Sequence, residues 1–274
     1  MESRLGALCA LVIGLVIYCD LNVCPVAAAE FEVDAKTLFL VHFNDKIDAD
    51  FAKGTAERTK GNAGLTKNKQ GKYGEALVCA KGMTTNLQGI FAPYFQLAFP
   101  MSGNLDLKKG TLEFWLKCNF PKKLTAEDGQ ALHYLFDLPT SLTDKNGNAK
   151  RMCLVVREYR LAKDSDQTGK MFHYFFAGGD QEVKDISCII DWQPGEWHHV
   201  SATWDGEEGA LFLDGVKKGS HAISKGLFGA DPSVFKGEFL VGGLLNADNS
   251  EGPEGLVDEL RISNTVRYMK DFKP

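Results

Sequence analysis

The chain has 274 residues, with 31 Lys and Arg against 36 Asp and Glu, for a net charge of −5. It carries no basic stripe interleaved with aromatics, which argues against a nucleic-acid partner. The length suits one large β-sandwich or barrel, able to bury a core without metal or disulfide staples.

At the start, Arg4 gives a thin positive region that Glu2 partly offsets; an apolar run from Leu5 to Tyr18 follows, and Ala27-Ala28-Ala29 fits a small-x-small cleavage site. The run is about 14 residues, too short to span a bilayer comfortably. Residues 1–29 are therefore expected to be a secretory signal, removed before Glu30, rather than an anchor. Acylation at Cys19 or Cys24 is disfavoured, because Tyr18 and Val23 are larger than the small residue an acylated cysteine follows. No second run of 18 apolar residues occurs, so no membrane span is expected in 30–274, and the protein is expected to be secreted, periplasmic or extracellular. Cys79, Cys118, Cys153 and Cys188 remain after the signal. An even number in an exported chain predicts at least one disulfide, with three pairings open, against the alternative of four core thiols.

Strand signals then recur at 36–44, 76–80, 89–99, 110–120, 131–138, 151–159, 171–178, 186–192, 197–204, 210–213 and 237–243. Each is short, rich in Val, Ile, Leu or aromatics, and bounded by Gly, Pro, Asn or Asp. In TLEFWLKC, Leu112, Phe114, Leu116 and Cys118 share one face, while Glu113, Trp115 and Lys117 share the other. That period of two predicts a sheet packed on one side. The stretches 50–72, 121–129, 140–150 and 163–170 are polar and expected as surface loops. Between 192 and 219, Pro194-Gly195, Asp205-Gly206 and Asp214-Gly215 punctuate three strands, and Asp-Gly is a strong signal for a tight hairpin. Many short strands without helical periodicity or internal repeats predict an all-β fold, an antiparallel two-sheet sandwich of jelly-roll type over 30–274.

His198 and His199 are adjacent on a strand, so their rings point to opposite faces and cannot share an ion; one is expected to be structural and the other exposed. The remaining histidines show no metal-binding spacing. An exposed aromatic would be needed to stack on a sugar ring, and Trp115, Tyr94, Tyr134, Tyr159, Tyr174 and Trp192 are the candidates.

Six segments in order, LFLVHFND (38–45), GKYGEALVC (71–79), LDLKKGTLEFWLK (105–117), GEWHHVSATWDG (195–206), ALFLDGVKKG (210–219) and LVDELRIS (256–263), resemble the laminin-G-like jelly rolls of the concanavalin A-like lectin/glucanase superfamily. The chain departs from that pattern in extra residues around 119–150 and 160–170. The resemblance implies an exported, non-enzymatic module for carbohydrate binding or cell-surface adhesion, its partner a polysaccharide or glycoconjugate, or an extracellular protein. Its alternative is a divergent glycoside hydrolase or polysaccharide lyase, which would need an acid and a second carboxylate held at a set distance. The Glu-x-Asp-x-Glu pattern of such enzymes is missing: Glu207-Glu208 falls in a turn, and Asp258-Glu259 are adjacent and expected to face opposite ways. The resemblance further implies a structural calcium in some relatives, with the closing strand beside the first strand. Asp45 and Asp258 are the candidate ligands here, calcium requiring several oxygens at one point.

Overall fold

A computed structural model describes residues 29–61, 64–66, 69–79, 97–119, 130–160, 168–242 and 255–274. The expected signal, except Ala29, lies outside them, as do the loop 121–129, most of the strand 89–99 and Tyr94.

In chain order the strands are β1 (Thr37–Val41), β2 (Phe51–Ala52), β3 (Leu77–Cys79), β4 (Leu97–Pro100), β5 (Gly110–Cys118), β6 (Gln130–Thr143) and β7 (Ala149–Arg160). They continue as β8 (Thr168–Ala177), β9 (Val183–Ile190), β10 (Trp197–Trp204), β11 (Glu208–Leu213), β12 (Val216–Ala222), β13 (Glu238–Val241) and β14 (Gly255–Ser263). One sheet runs β12-β11-β10-β5-β14-β1-β2, with β3 also paired to β14. The other runs β4-β13-β6-β7-β8-β9. Every pairing between these strands is antiparallel, which is the expected sandwich. The closing strand does lie beside the first, with Val41 opposite Leu260.

The core lies between the sheets. Phe39 of one sheet meets Phe99 and Phe239 of the other edge-on, at 4.9 and 5.3 Å between ring centres. Each buried ring of this size contributes about 1.5–3 kcal/mol from the area it removes from water. Gly209 on β11 marks a tight approach of the sheets, since a Cβ there would sit 2.4 Å from the ring of Phe176 on β8. The hairpins form where the Asp-Gly pairs predict them. Asp214 and Gly215 both take positive φ, 51° and 76°, as the two-residue turn between β11 and β12 requires.

Three expectations are corrected. The stretch 140–150 is not a loop: β6 continues through Thr143 and β7 starts at Ala149, leaving a short tip in which Asp144 Oδ1 accepts the N–H groups of Asn146 and Asn148. The sheet containing β5 is not packed on one side, because Glu113 is fully buried and Trp115 is only 6% exposed. Distant segments cover them: Tyr268 donates its hydroxyl to Glu113, Lys72 and Tyr73 lie against Trp115, and His199, paired with Trp115 across β10 and β5, packs edge-on against Phe31, Tyr268 and Phe272. Alternation tells which residues share a face, but not whether a distant segment later covers it.

The third correction concerns Cys79, Cys118, Cys153 and Cys188, which stand as free thiols with no disulfide among them. Cys79 and Cys118 flank Gly255 from either side of β14. That is two strand spacings, about 9–10 Å, beyond the roughly 7 Å that a bridge tolerates between Cα atoms. Cys188 borders the core, whereas Cys153 points to the opposite face of its sheet, beside Asp137. No helix among the described residues is long and apolar enough to cross a membrane.

Candidate functional site

The six-stranded sheet turns Met152, Leu154 and Val156 of β7, with Phe172, Tyr174 and Phe176 of β8, into the core. Alternation then sends Arg151, Cys153, Val155, Arg157 and Tyr159 outward, together with Met171, His173 and Phe175. Register places Asp137, Cys153, Phe175 and Asp185 in one row across β6, β7, β8 and β9. Tyr134 stands opposite Val155 in the next row.

At one end of this face the β6–β7 tip and the β8–β9 turn converge. Lys150 Nζ ties them by donating to the carbonyl of Gln181 at 2.9 Å. Between them opens a cleft of about 470 Å³, walled by Tyr134, Asn148, Arg151, Cys153, Phe175 and Val183. Two aromatic rings, an amide and a guanidinium thus share one concavity, the mixture of apolar surface and few polar groups that ligand sites use.

The electrostatics of the cleft centre on Arg151. Its Nη1 donates to Asp137 Oδ2 at a long 3.4 Å, and Asp137 is only 2% exposed. The second oxygen, Asp137 Oδ1, is buried without a protein partner among the described residues. Burial therefore dominates and pushes the Asp137 carboxyl from 3.8 to about 6, against the pull of Arg151 and Lys236. The Tyr134 phenol is pushed up to about 12, again chiefly by burial. Beside the cleft, His173 stacks on Phe175 at 5.2 Å and faces Asp185 through Nδ1 at 3.1 Å.

Of the aromatic candidates among the described residues, Tyr134 and Tyr159 lie on this face. Tyr174 is in the core, Trp115 lies beneath Lys72 with Nζ 4.0 Å from its ring, and Trp192 is buried and stacked on His198 at 4.1 Å. Phe175, Arg151 and Asn148 were missed as site residues. The outward parity of β7 and β8 was the available signal for the first two, while Asn148 needed the hairpin to be recognised. The two adjacent histidines do face opposite ways, but neither is exposed: His198 Nδ1 lies 2.8 Å from Asp214, and His199 is fully buried beside Glu113.

The candidate calcium ligands sit elsewhere, at the edge where β1 meets β14. A bulge between Asp258 and Arg261 sets two residues of β14 against one of β5, and Glu259 takes a positive φ of 54°. The expected opposition of Asp258 and Glu259 is thereby corrected, both carboxylates lying on the outer side, away from the core residue Leu260. Asp258 Oδ2 accepts the N–H groups of Lys72 and Tyr73, and Oδ1 accepts that of Glu259. Burial first, then the Glu259 charge, push its carboxyl to about 7, against those N–H groups. Three of the roughly four lone-pair positions of this carboxylate thus accept N–H groups. Asp45 is exposed in the turn after β1. The residues that do converge there are Glu30, His42 and Glu259, whose ligating atoms all lie within 4.8 Å of one another, with His42 Nδ1 2.7 Å from Glu259 Oε1.

On the back of the eight-stranded sheet lies a second polar group, wholly structural in its contacts. Glu113 Oε1 accepts from Arg261 Nε at 2.9 Å, and Oε2 accepts the Tyr268 hydroxyl at 2.7 Å. Burial opposes the charge of Glu113, but His199, Arg261 and Tyr268 outweigh it and hold the carboxyl below its usual range.

No curated protein sequence matches the chain. Similar solved structures include a heptameric SAP-like pentraxin from Limulus polyphemus, at 16% identity, 69% of this chain, 76% of that chain and a TM-score of 0.41. A Ruminococcus gnavus IT-sialidase CBM40 bound to α2,6 sialyllactose aligns at 12% identity, 63% and 88% coverage and a TM-score of 0.42. Domain 4 of AbnA, a GH43 extracellular arabinanase from Geobacillus stearothermophilus in complex with arabinotriose, aligns at 17% identity, 84% and 94% coverage and a TM-score of 0.45. The laminin G 3 family model, of the concanavalin A-like lectin/glucanases superfamily, matches residues 93–271, and the chain belongs to that family.

Proposed function

We propose that the protein is an exported, non-enzymatic binding module that takes carbohydrate in the cleft on the outer face of the six-stranded sheet. The observation that carries this reading is the cleft itself, where the rings of Tyr134 and Phe175 stand beside Asn148 and Arg151. A pyranose presents a C–H face that stacks on an aromatic ring and a rim of hydroxyls that polar side chains receive. Export rests on the expected removal of residues 1–29.

The hydrolase alternative meets an obstacle of distance. Asp137 and Asp185 share a row on this face but are three strands apart, about 14 Å. Retaining and inverting glycosidases hold their carboxyl groups about 5–5.5 and 6.5–9.5 Å apart. Glu158, the acidic residue of β7, lies on the core side and is buried at 2.8 Å from His133.

The test is a glycan array probed with the purified protein, repeated with Tyr134→Ala and Phe175→Ala. Binding to one glycan class that either variant abolishes supports the reading. Silence across the array, or hydrolysis of a bound glycan, overturns it.

A further inference from the structure

Among the described residues, the walls of the cleft contain one charged side chain, and it is a cation. Arg151 keeps a loose contact with Asp137, 3.4 Å to a single oxygen, and is about a quarter exposed. A guanidinium has five N–H donors in a fixed fork. One long bond to a partner below leaves most of that fork for a planar anion approaching from the cleft. Asp137 cannot compete as a surface carboxylate would, because it is sealed beneath the face between Cys153 of β7 and Leu240 of β13.

Resting on the carbohydrate reading above, we infer that this site selects an acidic sugar, a uronic acid whose carboxylate is received by Arg151 while its ring packs on Tyr134 or Phe175. An anion set on Arg151 takes over the charge that now faces Asp137, and an ionised Asp137 would repel it. Binding is therefore coupled to proton uptake by Asp137. The groups around that carboxyl are Arg151 and Cys153 on β7, Tyr134 on its own strand and Lys236 before β13, with the His173–Asp185 pair further along the face. The two cations favour ionised Asp137 when the cleft is empty. Capture of Arg151 by a ligand removes the nearer one, so bound ligand raises the affinity of Asp137 for its proton. Affinity must then rise as pH falls through the region near 6 where that carboxyl titrates.

The experiment is calorimetry with tetragalacturonate and with its methyl ester, which keeps the sugar and removes the charge. The acid is expected to bind at least tenfold tighter than the ester at pH 5.5, and several-fold tighter at pH 5.5 than at pH 7.5, with proton uptake seen as a buffer-dependent heat. Asp137→Asn should remove the pH dependence and keep the preference for the acid. Arg151→Gln should abolish the preference, with thermal unfolding used to verify that both variants fold. Equal affinity for acid and ester, or affinity for the acid that is flat with pH, overturns the inference. If neither probe binds while neutral glycans do, the inference fails alone; if no glycan binds, the carbohydrate reading fails with it.

Discussion

Glu113→Ala is the substitution that most directly examines how the back of the eight-stranded sheet is held. Glu113 is fully buried and receives Arg261 at 2.8–2.9 Å, Tyr268 at 2.7 Å, His199 at 3.3 Å and Arg267 at 3.6 Å. Removing the carboxylate strands the Arg261 guanidinium and the Tyr268 phenol where water reaches poorly, while Arg267 keeps Asp34 and Ser263. Breaking a buried pair from one side costs about 3–5 kcal/mol. At about 2–4 °C per kcal/mol for a domain of this size, Tm should fall by roughly 6–20 °C. Because Arg267 and Tyr268 belong to the segment after β14, that segment should loosen first and become cleavable by trypsin under native conditions. Glu113→Gln keeps shape and one acceptor and should fall between wild type and Ala. The folded carboxyl is held below its unfolded value, so its stabilisation is complete at neutral pH and is lost as pH falls through the folded value. The gap in Tm between wild type and Glu113→Ala should therefore close in acid. A loss below about 3 °C at pH 7, or a gap that widens in acid, would refute the reasoning.

Overall stability should carry the opposite pH signature between 5 and 8. Asp137 and Asp258 have folded values raised to about 6 and about 7 from 3.8, and His42 is raised above 6.5 chiefly by Glu259. In each case the folded protein binds more protons in the intervening range, so stability falls as pH rises through it. Calorimetric Tm should be higher at pH 5 than at pH 8, and Asp137→Asn should reduce the difference. Calcium at 1 mM against excess chelator should leave Tm unchanged, given that Asp258 is engaged by three backbone N–H groups. A rise of several degrees with calcium, lost in Asp45→Ala or Asp258→Ala, would instead establish those two residues as ligands.

The features legible in the sequence were local ones. Asp214-Gly215 announces its hairpin because the turn needs positive φ at both positions, whatever surrounds it. The strand Trp197–Trp204 was read to the residue, bounded by Gly195 on one side and Asp205-Gly206 on the other. What escaped depended on residues far apart in the chain. Glu113 is covered by Tyr268, more than 150 residues later in the sequence, and Trp115 by Lys72 and Tyr73, more than 40 residues earlier, while Phe31 and Phe272 close over the neighbouring His199. The shared face of Asp258 and Glu259 comes from a bulge defined against β5, which no window around the pair reveals. The cleft was half legible: Tyr134 was among six aromatic candidates, and the polarity of 140–150 concealed the hairpin that brings Asn148 beside it. Alternation along β7 and β8 carried the information that Arg151 and Phe175 face outward, but only the strand order places them side by side.

The most direct test of the central claim is calorimetric titration of the purified protein with the glycan class its array selects, compared with Phe175→Ala and Tyr134→Ala of verified fold. Aromatic contacts of this kind contribute about 0.5–1.5 kcal/mol beyond area burial. With the lost area included, the account predicts saturable binding that weakens about tenfold or more in each variant. Binding unchanged in both variants would move the site off this face, and absence of binding to any glycan would contradict the carbohydrate reading itself.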